Sequence, residues 1–143
     1  TRSSAFVCQK TTFKRRESIM PTEMFTKEFL VKESQTAKML GSGDLEVLGT
    51  PALAAMIEQT AKEAVKDQLS VGETTVGTVL ELRHLFPSAV GATIVVTMTS
   101  IEQTAHKIRY EFVAYEGERQ IAKGSHQRAV VEIDSFLKRI TKD

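Results

Sequence analysis

The chain has 143 residues, 41% hydrophobic and 26% charged, with 19 basic against 18 acidic side chains for a formal net charge of +1. That length suits one domain with one sizeable core, and the balanced charge excludes the basic excess of a nucleic-acid or membrane-surface binder. No run approaches the roughly 18 apolar residues of a membrane span, and the single cysteine, Cys8, allows no internal disulfide and no cysteine-based metal site.

The first twenty residues differ from the rest. Arg2, Lys10, Lys14, Arg15 and Arg16 occur there with no acidic residue before Glu17, among many Ser and Thr. An organelle transit peptide has this composition. An added leader ahead of a natural start near Met20 accounts for it more simply, because the chain does not begin with Met and the apolar spacing is poor. Residues 1–20 are therefore expected to carry no function, and residues 21–143 to form a single domain. A transit peptide would direct that domain to an organelle matrix; otherwise a cytoplasmic setting is expected.

The stretch 24–31 reads as a first strand with Phe25 and Phe29 turned to the core. Gly41-Ser42-Gly43-Asp44 is a loop signal. A long helix is predicted from Pro51 to about Leu69. Thr50 is its expected N-cap and Pro51 its first helical residue, where the missing N–H costs nothing. Leu53, Met56, Ile57, Ala61, Ala64, Val65 and Leu69 recur at three- and four-residue spacing and mark one apolar face. Beyond Gly72 the periodicity becomes that of strands, predicted at 74–85, 92–101, 106–115 and 120–133. Turns are expected at 87–91 and at Glu116-Gly117-Glu118. Asp134 is expected to cap a short terminal helix. One strand, a long helix and four strands running as a meander give an α+β domain, its antiparallel sheet wrapped around the helix.

Three polar residues invite chemistry. Thr50 stands where helix N–H groups favour negative charge, although a plain N-cap explains it equally; with Pro51 next, Ala52 and Leu53 offer the nearest free N–H groups. Glu58 projects between Val65 and Leu69 at the margin of the apolar face, two turns and roughly 12 Å of helix rise from Thr50. It is either a functional carboxylate or a partly exposed one at a helix edge. His84 ends the strand after the helix and could equally be structural. Other chemistry fails on spacing. Gly41-Ser42-Gly43-Asp44 lacks the Lys-Ser/Thr of a phosphate loop, and Ser125-His126 lacks a nucleophile elbow. His84, His106 and His126 have no metal-ligand spacing, so no metal is expected.

At these residues the chain resembles the hotdog-fold acyl-CoA thioesterases, in the branch typified by fluoroacetyl-CoA thioesterase. The resemblance rests on Thr50, Glu58 eight residues later, Gly77-Thr78 and His84 on the following strand, and the closing segment Gly124-Ser125-His126-Gln127-Arg128-Ala129-Val130. It covers roughly residues 25–140. It implies a hotdog fold with a five-stranded antiparallel sheet around a central helix, paired into a homodimer with the active sites at its interface. Further pairing of dimers is left open. The implied reaction is hydrolysis of an acyl-CoA to the free acid and coenzyme A, which enters as part of the substrate, with no cofactor. Thr50, Glu58 and His84 are the implied catalytic residues, with Glu58 either activating water or attacking the thioester. Gly77, Thr78 and Arg128 are the implied substrate-binding residues. Gly41-Ser42-Gly43-Asp44 stands where the branch has a bulky aromatic lid, so a general short-chain acyl-CoA is expected rather than a fluoroacetyl group. Two alternatives remain. A non-catalytic acyl-CoA sensor would keep binding without hydrolysis. A hotdog hydratase or dehydratase would need an Asp/His pair, and only Asp44 lies near the helix start.

Overall fold

The computed structural model describes residues 24–141, so the basic leader lies outside the described residues. In chain order the elements are β1 (Phe25–Leu30), α1 (Ala37–Leu40), α2 (Thr50–Ala64), β2 (Glu73–His84), β3 (Thr93–Gln103), β4 (Lys107–Glu116), β5 (Arg119–Glu132) and α3 (Ile133–Thr141). Among the described residues no helix is long and apolar enough to cross a membrane.

The apolar stripe on α2 does what its period requires. Leu53, Met56, Ile57 and Ala61 are buried and pack with Ile94, Val96 and Met98 of β3 and with Phe112 of β4 in one cluster. Burying each of the larger side chains contributes about 1.5–3 kcal/mol, which fixes the helix to one face of the sheet. Both helix ends differ from expectation. The N-cap is Gly49, in extended conformation, and Thr50 and Pro51 occupy the first helical positions. The N–H groups of Ala52 and Leu53 are not free, since both donate to the Gly49 carbonyl at 3.0 Å. At the other end the helix stops at Ala64. Val65 leaves helical geometry to bury its side chain, and a short 3₁₀ turn over Lys66–Gln68 completes the stretch predicted as helix.

All five strands lie in one antiparallel sheet of order β1-β3-β4-β5-β2. The expected four-strand meander is therefore corrected: only β3, β4 and β5 are joined by consecutive pairing. β2 pairs with the far side of β5, from Glu73 opposite Glu132 to His84 opposite Ala122. Periodicity marks which face of a strand is buried but carries no information on its neighbour. Residues 85–92 carry the chain from β2 at one edge to β3, and the turn closes at Gly91, whose φ of 93° suits glycine.

β2 is not regular. Its register against β5 shifts between Gly77 and Val79, so Thr78 is the extra residue of a bulge. Before it, Thr75 and Gly77 face α2; after it, Leu80, Leu82 and His84 do. At the chain's end, the expected cap by Asp134 is also corrected. Glu132 accepts from the Ser135 backbone N–H at 3.0 Å and from its hydroxyl at 2.7 Å, so α3 begins at Ile133 with Asp134 inside its first turn.

Candidate active site

The helix start brings two of the expected residues together. With Gly49 as cap, the Thr50 hydroxyl is released from capping and lies 2.8 Å from Nδ1 of His84, at the end of β2. Both border an open cleft of about 300 Å³ whose apolar walls include Val47, Leu48, Leu85 and Phe86. Nε2 of His84 is buried and has no protein partner among the described residues. Burial holds the His84 pKa below the usual histidine value, with the Phe86 backbone acting the other way, so the ring is neutral at pH 7. A buried nitrogen without a partner is costly, which marks this edge of the cleft as one shaped for another group.

A second cluster lies along α2. Oε1 of Glu58 is 3.5 Å from Nη1 of Arg128, a long ion pair in which the Glu58 side chain is 43% exposed and the arginine is almost fully buried. Glu58 also presses on β2: a Cβ on Gly77 would stand 2.8 Å from Oε1. Arg128 is anchored by Thr75, donating from Nε to its hydroxyl at 2.8 Å and from Nη2 to its carbonyl at 3.1 Å. No hydrogen bond joins Glu58 to Thr50 or His84 among the described residues. Thr78 points elsewhere, its hydroxyl donating to the Gln127 carbonyl at 3.2 Å. Within one chain the six expected residues thus form two groups, Thr50 with His84 and Glu58 with Gly77 and Arg128, with Thr78 at the bulge beside the second.

Sequence reasoning missed His126, which is 1% exposed. Nη1 of Arg128 lies 3.1 Å from its Nε2, and its Nδ1 lies 2.7 Å from the Val79 carbonyl. The arginine can only donate and the carbonyl only accept, so the ring is neutral with its proton on Nδ1. Burial, the largest cause, pushes its pKa down, and the Arg128 charge adds to this; the Val79 carbonyl and Glu58 oppose it. Tyr110 stacks on the ring at 5.5 Å between centroids and donates from its hydroxyl to the Ala61 carbonyl at 2.9 Å. The signal was available in the alternation of β5: Gly124, His126 and Arg128 share one face, and that face carries the buried groups. Among the described residues no three His, Cys, Asp or Glu side chains gather to hold a metal ion.

A helix laid across a five-stranded antiparallel sheet, with polar groups at its start and along its flank, is the hotdog architecture. The fluoroacetyl-CoA-specific thioesterase family model matches residues 31–134, and the chain belongs to that family of acyl-CoA thioester hydrolases. The fluoroacetyl-CoA thioesterase of Streptantibioticus cattleyicolor is 26% identical over 120 residues, covering 80% of this chain and 86% of that protein. A solved structure of the fluoroacetyl-CoA thioesterase FlK superposes with a TM-score of 0.80 at 23% identity, covering 89% of this chain and 98% of the other. A hot-dog-like protein from Thermanaerovibrio acidaminovorans gives a TM-score of 0.75 at 24% identity, covering 84% and 89% of the two chains.

Proposed function

We propose that this thioesterase hydrolyses short-chain acyl-CoAs, with the acyl group seated in the cleft beside Thr50 and His84 and with Glu58 activating the attacking water. The observation that carries the reading is the Thr50–His84 pair opening on an apolar cleft with a buried nitrogen left to be satisfied. A volume of about 300 Å³ lies at the small end of ligand pockets and favours a short acyl chain. Water loses a proton to Glu58 as its oxygen bonds to the thioester carbonyl carbon. Collapse of the tetrahedral intermediate breaks the C–S bond, and the proton passes to the departing coenzyme A thiolate. Neutral His84 and the Thr50 hydroxyl orient water and thioester, while Arg128 and the close approach at Gly77 fix the carboxylate. Thr78 would contribute through the bulge that shapes Gly77. The reaction needs only water, so no cofactor or metal is invoked.

The two groups of residues lie apart within one chain, and among the described residues β2 is an edge strand of 12 residues with one unpaired side. Such an edge is a template for another strand. We therefore propose a homodimer in which the second copy brings the groups of the two chains to one site. The balanced charge and lone cysteine support a cytoplasmic enzyme with no nucleic-acid or membrane partner.

The test is thiol release from acyl-CoAs of graded chain length, beside Glu58→Gln and sedimentation of the protein. Turnover highest for short chains and reduced about 10²–10⁴-fold in Glu58→Gln is expected for loss of a positioned base. Unchanged turnover in that variant removes Glu58 from the mechanism. Single turnover in ¹⁸O-water bears on the roles: label entering the Glu58 carboxylate would mean direct attack, whereas label found only in the product acid is the result of activated water or of an anhydride opened at its acyl carbon. Tight binding with no thiol release would instead make the chain a sensor.

A further inference from the structure

Among the described residues Arg128 is the cation that pairs with Glu58, and it has a second acceptor. Nη1 faces Oε1 of Glu58 at 3.5 Å but Nε2 of His126 at 3.1 Å, while the rest of the guanidinium is tied to Thr75. The imidazole cannot drift. Its Nδ1–H is held by the Val79 carbonyl at 2.7 Å and its face is covered by Tyr110, itself pinned to α2 through the Ala61 carbonyl.

We propose that His126 is a positioning residue of the hydrolytic site: by accepting from Arg128 it keeps the guanidinium off a tight ion pair with Glu58, leaving the carboxylate free to take a proton from water. The inference rests on the reading of Glu58 as the base. A hydrogen bond from a charged donor is short and strong, so the donor shared between two acceptors commits to the one that remains. Without Nε2 the arginine closes on Glu58, and a carboxylate fully paired with a buried guanidinium is a poorer proton acceptor. The effect falls on the chemical step rather than on binding, because His126 lies beneath the carboxylate and does not border the cleft where the acyl group is seated.

Two substitutions separate this role from mere packing. The amide of Gln reaches the place of Nε2, whereas that of Asn reaches only the place of Nδ1. His126→Gln keeps an acceptor for Arg128 and is expected to hold kcat within about threefold of the parent. His126→Asn keeps the contact with Val79 but loses that acceptor, and kcat is expected to fall about tenfold or more with KM for the acyl-CoA little changed. The same pair is made in the Glu58→Gln background. If His126 acts through the carboxylate, Asn and Gln at position 126 become equivalent there. Equal kcat for the two variants in the parent, or an undiminished difference in the Glu58→Gln background, overturns the proposal while leaving Glu58 as base. Full activity of Glu58→Gln alone overturns the base assignment and the proposal with it. Thermal unfolding of each variant establishes that the compared proteins are folded, and a misfolded His126→Asn is replaced by His126→Leu, which removes the same acceptor.

Discussion

Oε1 of Glu58 stands 2.8 Å from the point where a side chain on Gly77 would begin, and His126 Cε1 and Arg128 Nη1 stand 3.3 and 3.4 Å from it. One added methyl group would therefore displace the carboxylate and crowd the two groups that organise it. The carboxylate is the end of a flexible side chain and can move aside, so the fold survives. Gly77→Ala is expected to lower kcat at least about tenfold, within the range attributed to a positioned base, with an unfolding temperature close to the parent's. Steady-state kinetics with a short acyl-CoA beside calorimetry check both halves.

The 2.8 Å contact between the Thr50 hydroxyl and His84 separates two conservative changes. Thr50→Ser keeps the hydroxyl and should retain most of the activity. Thr50→Val keeps the shape and loses the hydrogen bond, and should reduce kcat/KM by about tenfold or more, the kinetic equivalent of about 1.5 kcal/mol. Equal rates for Ser and Val at this position would show that the hydroxyl takes no part.

Acid should destabilise the protein before its carboxylates titrate. The pKa of His84 and of His126 lies below the usual histidine value of 6.5, in both cases chiefly through burial. As the pH falls through about 6.5, the unfolded chain takes up protons on these rings while the folded chain does not. The unfolded state then binds more protons, so stability falls with falling pH until the lower folded values are reached. The contribution is complete above pH 6.5 and lost below it. Glu63, whose pKa is lowered first by the Gln59 hydrogen bond and then by Lys27, is affected only below its ordinary value of 4.5. Unfolding temperatures between pH 7.5 and 5.0 should decline, and His126→Gln should decline less steeply. A flat profile would count against both rings being held neutral.

Gly124 tests the sheet rather than the site. A Cβ there would run into the Glu81 carbonyl oxygen of the paired strand and come within 2.8 Å of the Phe112 ring. The obstacle is backbone, which cannot swing away as a carboxylate can. Gly124→Ala is expected to cost about 1–3 kcal/mol or more by overpacking, read as a lower denaturant midpoint with β5 pulled from β2.

The sequence announced α2, the five strands and the hairpin at Gly117 because each has a local cause: a periodic stripe, β-branched runs, a positive-φ turn. It concealed the partners of β2, since alternation is the same whichever strand lies alongside. It exposed Thr50 and His84 as polar residues at element ends. It misread Thr50 as a cap, because Gly49 serves the helix and the hydroxyl answers instead to a residue 34 positions away. His126 escaped for a similar reason. A histidine in a strand looks ordinary until Arg128, Val79 and Tyr110 close around it from three strands.

The bulge at Thr78 has a consequence for how β2 tolerates change in length. Gly77 and His84 are seven residues apart, an odd number, and in an unbroken strand an odd separation sends two side chains to opposite faces. They share a face here because Thr78 advances the alternation by one step. The strand is in effect written in two phases, one serving Glu58 and Arg128, the other serving Thr50. Removing Thr78 would shorten the separation to six and leave Leu80, Leu82 and His84 facing the helix in a regular strand, whereas one further residue inserted between Gly77 and Leu80 would turn all three away from it. Functional relatives are thus expected to differ freely in the identity of this residue, or to lack it, but not to carry a second insertion beside it.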